Sequence, residues 1–127
     1  SGTIYAVDIS SEMRAILNQN NQYSNVKIES CIENVSHCLC DMTLLCTVFH
    51  ELDDMPYMVN AIKNTLKNQG ILAIIEFHKK ETPMGPPVQK RLSDSEVSEL
   101  LCGEGFVKID YTSLGDNFYC LIFRKAQ

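Results

Sequence analysis

No basic run in this sequence is longer than two residues, as at Lys79-Lys80 and Lys90-Arg91. With a net charge of −5, that argues against nucleic acid or an anionic membrane as a partner, since both are held through clustered Lys and Arg. No apolar run approaches the ~20 residues that span a bilayer. The start lacks the basic and apolar regions of a signal peptide, and Ser1-Gly2 reads as a cloning scar or a cut point. Repeats, low-complexity tracts and a dividing linker are also missing. The expectation is one soluble domain over residues 1–127, located in the cytoplasm. A chain of that length buries about two-thirds of the surface it exposes when unfolded, enough for a real core.

Cysteine is not scarce: Cys31, Cys38, Cys40, Cys46, Cys102 and Cys120. An even count raises the question of disulfides. Cys46 and Cys120 nevertheless fall inside apolar, strand-like runs, where free cysteine behaves as a small hydrophobe, and a chain without a secretory signal fits a reducing compartment. The spacing Cys38-Leu-Cys40 is not the C-x₂₋₄-C of structural zinc sites, so no metal is expected.

The stretch Thr3-Ile-Tyr-Ala-Val-Asp8 is an apolar strand signal that stops in an acid, and a helix signal follows at once: Ser10 or Ser11 as N-cap, then residues 11–20 with Met13, Ile16 and Leu17 on one face. An acid in that position can accept two hydrogen bonds from a ribose diol in an open α/β sheet; alternatively Asp8 only caps the helix. Residues 26–30 alternate as a short strand, 33–39 suggest a helical turn, and 41–47 read as a buried strand followed by a loop to Asp54. Asp54 as N-cap and Pro56 in the first turn open the clearest helix, with Met58, Ile62 and Leu66 on one face and Gly70 as a left-handed stop. Residues 71–77 form a doubly buried strand. Lys79 to Pro87, with three prolines and a glycine, is a loop. Ser93-Asp-Ser-Glu96 is a capping box opening a helix over 97–102. Residues 106–111 and 118–123 are strands whose short link favours an antiparallel hairpin. The order implies an α/β sheet, mostly parallel, with a closing hairpin.

Three segments carry a likeness: Tyr5-Ala-Val-Asp8-Ile-Ser-Ser-Glu-Met13, Thr47-Val-Phe-His-Glu-Leu52, and Leu66-Lys-Asn-Gln-Gly70-Ile-Leu-Ala-Ile-Ile-Glu76. In this order they resemble the class I S-adenosylmethionine-dependent methyltransferases, type 11 branch. Asn68 and Gln69 stand where the family's helix end has Pro and Gly. Glu81-Thr-Pro-Met-Gly-Pro-Pro87 and Arg91-Leu-Ser93 resemble the substrate-side loop and last helix start of some members. The resemblance implies a Rossmann-like, three-layer α/β fold with S-adenosylmethionine as cofactor and a small-molecule methyl acceptor. It assigns Asp8 to the ribose, Ile9 to the adenine face, and Cys31 and Ile32 to the surroundings of the adenine amino group. Cys31 replaces the family's Asp there, and a thiol does not replace a carboxylate as an acceptor. Thr47 and Val48 fall beside the methionine part and the methyl.

The family's first strand and its glycine-rich turn have no counterpart before Thr3, so the fold is expected to be incomplete, its C-terminal two-thirds. The missing strand is central in the family's sheet, between the strand ending at Asp8 and the strand ending at Thr47. An open slot would leave several backbone groups unpaired at ~1–3 kcal/mol each. Either the strand 3–8 then moves over to pair with 41–47, or a second copy fills the gap as a homodimer. Weak or no cofactor binding is expected for these residues alone.

Methyl transfer mainly needs nucleophile and methyl held in line, with a general base only where the nucleophile carries a proton. His50 and Glu51 are the candidates; alternatively His50 orders its loop and Glu51 faces water. The cations Lys79, Lys80, Lys90 and Arg91 flank the proline loop and read as a solvated face, with an anionic substrate as the other reading. Two further functions compete. One is a non-catalytic fragment or degenerate homologue that dimerises without cofactor. The other, weaker, is a nicotinamide-dependent dehydrogenase, for which no Tyr/Lys pair is evident.

Overall fold

The computed structural model describes residues 2–126; Ser1, half of the supposed scar, lies outside the described residues. The chain divides into two compact units, Ser1–His37 and Cys38–Gln127.

In the first unit, strand β1 (Ile4–Val7) runs into helix α1 (Ser11–Asn20) and then strand β2 (Val26–Glu29). Ser10 is the N-cap, its hydroxyl accepting the Met13 N–H, which satisfies one of the helix's orphan donors. β1 and β2 pair in parallel, Ile4 opposite Val26 through Val7 opposite Glu29. A single 3₁₀ turn at Ile32–Asn34 follows, shorter than the helical turn expected over 33–39. Among the described residues β1 pairs only with β2, and the strand shift onto 41–47 is not seen. The physical reason is local. The β-α-β crossover brings β2 beside β1, and the ladder is extended by the Asp8 N–H donating to the Glu29 carbonyl at 3.1 Å.

The second unit holds strand β3 (Cys40–Cys46), helix α2 (Met55–Thr65), strand β4 (Leu66–Phe77), helix α3 (Asp94–Gly103), and the hairpin β5 (Phe106–Leu114) and β6 (Phe118–Lys125). Its sheet order is β3-β4-β6-β5. β3 and β4 are parallel, while β6 lies antiparallel to both β4 and β5. Alternation along β4 and β6 puts Leu72, Ile74 and Glu76 opposite Phe123, Leu121 and Tyr119 on one face. All six are buried, and Val59, Ile62, Val97 and Leu101 from the helices complete this core. On the opposite face Met42 and Leu44 remain more than half exposed. Cys46, expected to be a buried hydrophobe, is exposed there too, and all six cysteines are free thiols.

Helix α2 stops at Thr65, not at Gly70, and Leu66 is already extended. Its last carbonyls are taken by the incoming chain: the Cys38 and Leu39 N–H groups donate to Asn64 and Thr65, each at 2.9 Å. The left-handed residue is Gln69, at φ 66°. Gly70 serves close approach instead, since a Cβ there would sit 2.8 Å from the Lys67 carbonyl. The capping box at Ser93 and Glu96 is complete. Among the described residues no helix is long and apolar enough to cross a membrane.

Candidate functional site

Asp8 ends β1 with its carboxylate half-exposed. Oδ1 accepts the Ser10 N–H at 2.9 Å, and Oδ2 accepts no hydrogen bond among the described residues. Arg14 ties this turn to the helix, donating from one guanidinium nitrogen to the Asp8 and Ile9 carbonyls at 2.8 and 2.9 Å. Ile9 is 90% exposed. A carboxylate with a free oxygen beside an uncovered apolar side chain suits a ribose hydroxyl next to a flat base. Cys31 is exposed, and Ile32 begins the 3₁₀ turn. These four candidates belong to the first unit.

In the second unit the chain leaves β3 through Thr47, held at φ 55°. That left-handed conformation is costly for a β-branched residue. It is secured by the Thr47 N–H donating to the Ile75 carbonyl at 2.8 Å and by the hydroxyl donating to the Cys46 carbonyl at 2.7 Å. Thr47 therefore has no N–H left for a ligand, and Val48 is exposed beside it. The turn drives Phe49 into the core and sets His50 over the end of β4 in a 3₁₀ turn, Phe49–Glu51.

There His50 meets Glu76, a carboxylate only 1% exposed. His50 Nδ1 lies 2.9 and 3.0 Å from the two Glu76 oxygens. The His50 backbone N–H donates to Oε1 at 3.0 Å and the Phe77 N–H to Oε2 at 3.2 Å. A buried carboxylate is tolerable only when its lone pairs are met in this way. The imidazole is itself 8% exposed, and its Nε2 lies 3.5 Å from the carboxylate of exposed Glu51. Tyr119, across the sheet from Glu76, donates its phenol to the Leu92 carbonyl at 2.7 Å. Burial, reinforced by the Glu76 charge, pushes that phenol up out of the titrating range.

The proline loop packs against the same corner. Gly85, at φ 102°, lies on the Phe77 ring so closely that a Cβ would come within 2.6 Å of it. The guanidinium of Arg91 sits 4.9 Å from that ring's centroid and donates to the carbonyls of Pro86, His78, Lys80 and Met84. Arg91 is 4% exposed, which corrects both readings of it: it neither faces water nor is open to an anionic substrate. Five donors in a fixed fork suit a guanidinium to knitting a loop together. Lys79 is paired with Glu96 at 2.8 Å. Among the described residues no cluster of His, Cys, Asp or Glu is arranged to hold a metal.

Glu76 and Phe77 were not among the residues the sequence reading picked for the site. The signal for Glu76 was available: like Asp8, it is an acid closing an apolar strand run.

An α/β protein with parallel strands that end in carboxylates is of the Rossmann-like class, in which ligands bind beyond the carboxyl ends of strands. A methyltransferase domain family matches residues 1–74, more than half of the chain, which therefore belongs to that family, the class I S-adenosylmethionine-dependent methyltransferases. S-adenosylmethionine is the family's cofactor. Solved structures agree in fold. A SAM-dependent methyltransferase from Aquifex aeolicus is 25% identical with a TM-score of 0.88, the match covering 97% of this chain and 69% of that one. A protein from Sulfolobus solfataricus described as a type 11 methyltransferase is 21% identical with a TM-score of 0.86, over 98% of this chain and 72% of that one. The 1,6-didemethyltoxoflavin-N1-methyltransferase of Burkholderia thailandensis, solved with 1,6-didemethyltoxoflavin and S-adenosylhomocysteine, is 18% identical with a TM-score of 0.70, over 97% of this chain and 61% of that one. None of the curated proteins compared with the chain matches it.

Proposed function

We propose that this fold transfers a methyl group from S-adenosylmethionine to a small-molecule acceptor, in the reducing cytoplasm that six free thiols suit. The observation that carries the reading is the corner beyond β3 and β4, where a buried His50–Glu76 pair and a loop pinned by Arg91 meet at Phe77. The toxoflavin methyltransferase, solved with 1,6-didemethyltoxoflavin, supports a small-molecule acceptor.

Asp8 would hold the ribose and Ile9 the adenine face, with Ile32 and Cys31 nearby and Thr47 and Val48 beside the methionine part. When bound, the cofactor supplies an electrophilic methyl on a sulfonium that leaves as a neutral thioether. His50, with Glu51 on the Nε2 side of its ring, is the proton acceptor where the acceptor substrate needs one.

The 127 residues bind the cofactor weakly in this proposal, because Cys31 offers the adenine amino group a thiol where the family has a carboxylate. A second copy pairing with the far edge of β3 is the partner that suits this strand, which among the described residues pairs with β4 on one side only. Calorimetric titration with S-adenosylhomocysteine should give weak heat that Asp8→Ala abolishes. No heat at millimolar ligand would instead favour the non-catalytic reading. Light scattering should give twice the chain mass, and a strictly monomeric solution would remove the second copy.

A further inference from the structure

Glu76 is more deeply buried than any catalytic contact of its own would require, and every hydrogen bond it accepts comes from two neighbouring segments. Its two oxygens receive the His50 N–H, the Phe77 N–H and the His50 ring at Nδ1. A carboxylate only accepts, so the ring nitrogen facing it must carry the proton. A neutral imidazole has one N–H, and once that is at Nδ1 the lone pair is at Nε2. Nε2 is the atom turned toward exposed Glu51, at 3.5 Å, beyond a hydrogen bond. Free imidazole would distribute its proton between the two nitrogens; here the buried partner removes that choice.

Building on the methyltransferase reading above, we propose that Glu76 is a positioning residue that holds His50 as its Nδ1–H tautomer and so reserves Nε2 to take a proton from the methyl acceptor. This narrows the acceptor class. The nucleophile carries a proton that must leave, as in a hydroxyl, a thiol or an ammonium, and is not a bare lone pair such as a thioether. The proton passes from the nucleophile to Nε2, and the electron pair of the broken X–H bond remains on the nucleophile. The imidazolium then lies between two carboxylates, Glu76 on Nδ1 and Glu51 near Nε2. The alternative is that Glu76 only anchors the loop through the two backbone N–H groups.

Long-range ¹⁵N NMR of the histidine-labelled 127-residue chain separates these. The wild-type His50 is expected as a single Nδ1–H species with a bare Nε2. Glu76→Gln keeps an acceptor oxygen for the loop but adds an amide that can donate to Nδ1, and should raise the Nε2–H fraction from near zero to the majority. Glu76→Asp, which keeps the carboxylate, should retain Nδ1–H. An Nε2–H wild type overturns the proposal whether or not the variants fold, as does a folded Glu76→Gln protein with an unchanged tautomer. The S-adenosylhomocysteine titration reads the other question separately: loss of that binding with Nδ1–H intact would sink the methyltransferase reading and leave the positioning of His50 standing.

Discussion

The two units are built to opposite standards. In the second, β4 and β6 pair along seven consecutive positions from Ile71 to Phe77, and Phe49, Ile62, Leu72, Ile74, Leu121 and Phe123 are sealed from solvent. In the first, two four-residue strands carry a ten-residue helix that buries none of its residues, and Val35 is its one buried side chain among those described. A two-stranded sheet and a helix of that length are each marginal in water without packing. Met13, Ile16 and Leu17, at the spacing of a core-facing stripe, stand exposed. The proposed cofactor residues Asp8 and Ile9 thus sit on the weakly supported unit. The His50–Glu76 pair, in contrast, sits on the well-packed one. In the proposed reading, the geometry for proton transfer is held by a core, whereas groups that only bind rest on an element that ligand would steady.

The largest expected difference comes from truncating the same residue type on either side. Leu121→Ala empties a fully buried position and should cost about 2–5 kcal/mol. Leu17→Ala, on the open stripe of α1, should stay within about 0.5 kcal/mol. Urea denaturation of both variants provides the comparison. Equal losses would mean that the stripe on α1 is covered in solution.

The sequence was most legible where a pattern is local. The helix capped by Ser10 has the expected bounds, 11–20, and the strand before it, expected over 3–8, spans Ile4–Val7, because N-cap chemistry and strand patterning act over a few residues. The capping box at Ser93 is a similar case, and the hairpin is present with strands longer than expected, Phe106–Leu114 and Phe118–Lys125. The end of α2 was not legible. Leu66 continues the helical apolar stripe of Met58 and Ile62, and what pulls it into a strand is non-local: the chain arriving through Cys38 and Leu39, and the Lys125 ammonium donating to the Leu66 carbonyl at 2.8 Å across 59 positions. Arg91 was misread for the same reason. A cation beside Lys90 looks solvated until the loop folds four carbonyls around it. The pairing of His50 with Glu76 joins residues 26 apart, and periodicity carries no information at that range.

Arg91 offers a sharper contrast inside the well-packed unit, between the core and the loop laid over it. Arg91→Ala removes the donors of four carbonyls but leaves the sheet untouched. The expected cost is about 1–3 kcal/mol, with residues 79–87 released from Phe77. Limited proteolysis should then cut within that loop while the β4–β6 fragment persists. Arg91→Lys should rescue little, since one ammonium cannot reach four carbonyls in a plane. An unchanged cleavage pattern would mean that the Gly85–Phe77 contact holds the loop without the guanidinium.

The smallest effect belongs to the surface of the same unit, at the start of α3. The hydrogen bond from Lys79, then that from the Ser93 backbone, holds the Glu96 carboxyl down to about 2 from its ordinary 4.5. The side chain is nearly half exposed, so solvent and salt screen much of what the lowered value implies. Because the folded group binds its proton less readily than the unfolded one, its contribution is complete above about 4.5 and drains away as pH falls toward about 2. Glu96→Gln should lower stability slightly at neutral pH, flatten the acid side of the stability profile, and narrow the gap from wild type as pH approaches 2. Added salt should shrink the difference further, since the Lys79 contact is a surface one. A wild-type profile as flat as that of Glu96→Gln between these values would mean that the Lys79 contact has no thermodynamic weight, and that helix α3 is held at its start by the Ser93 hydroxyl alone.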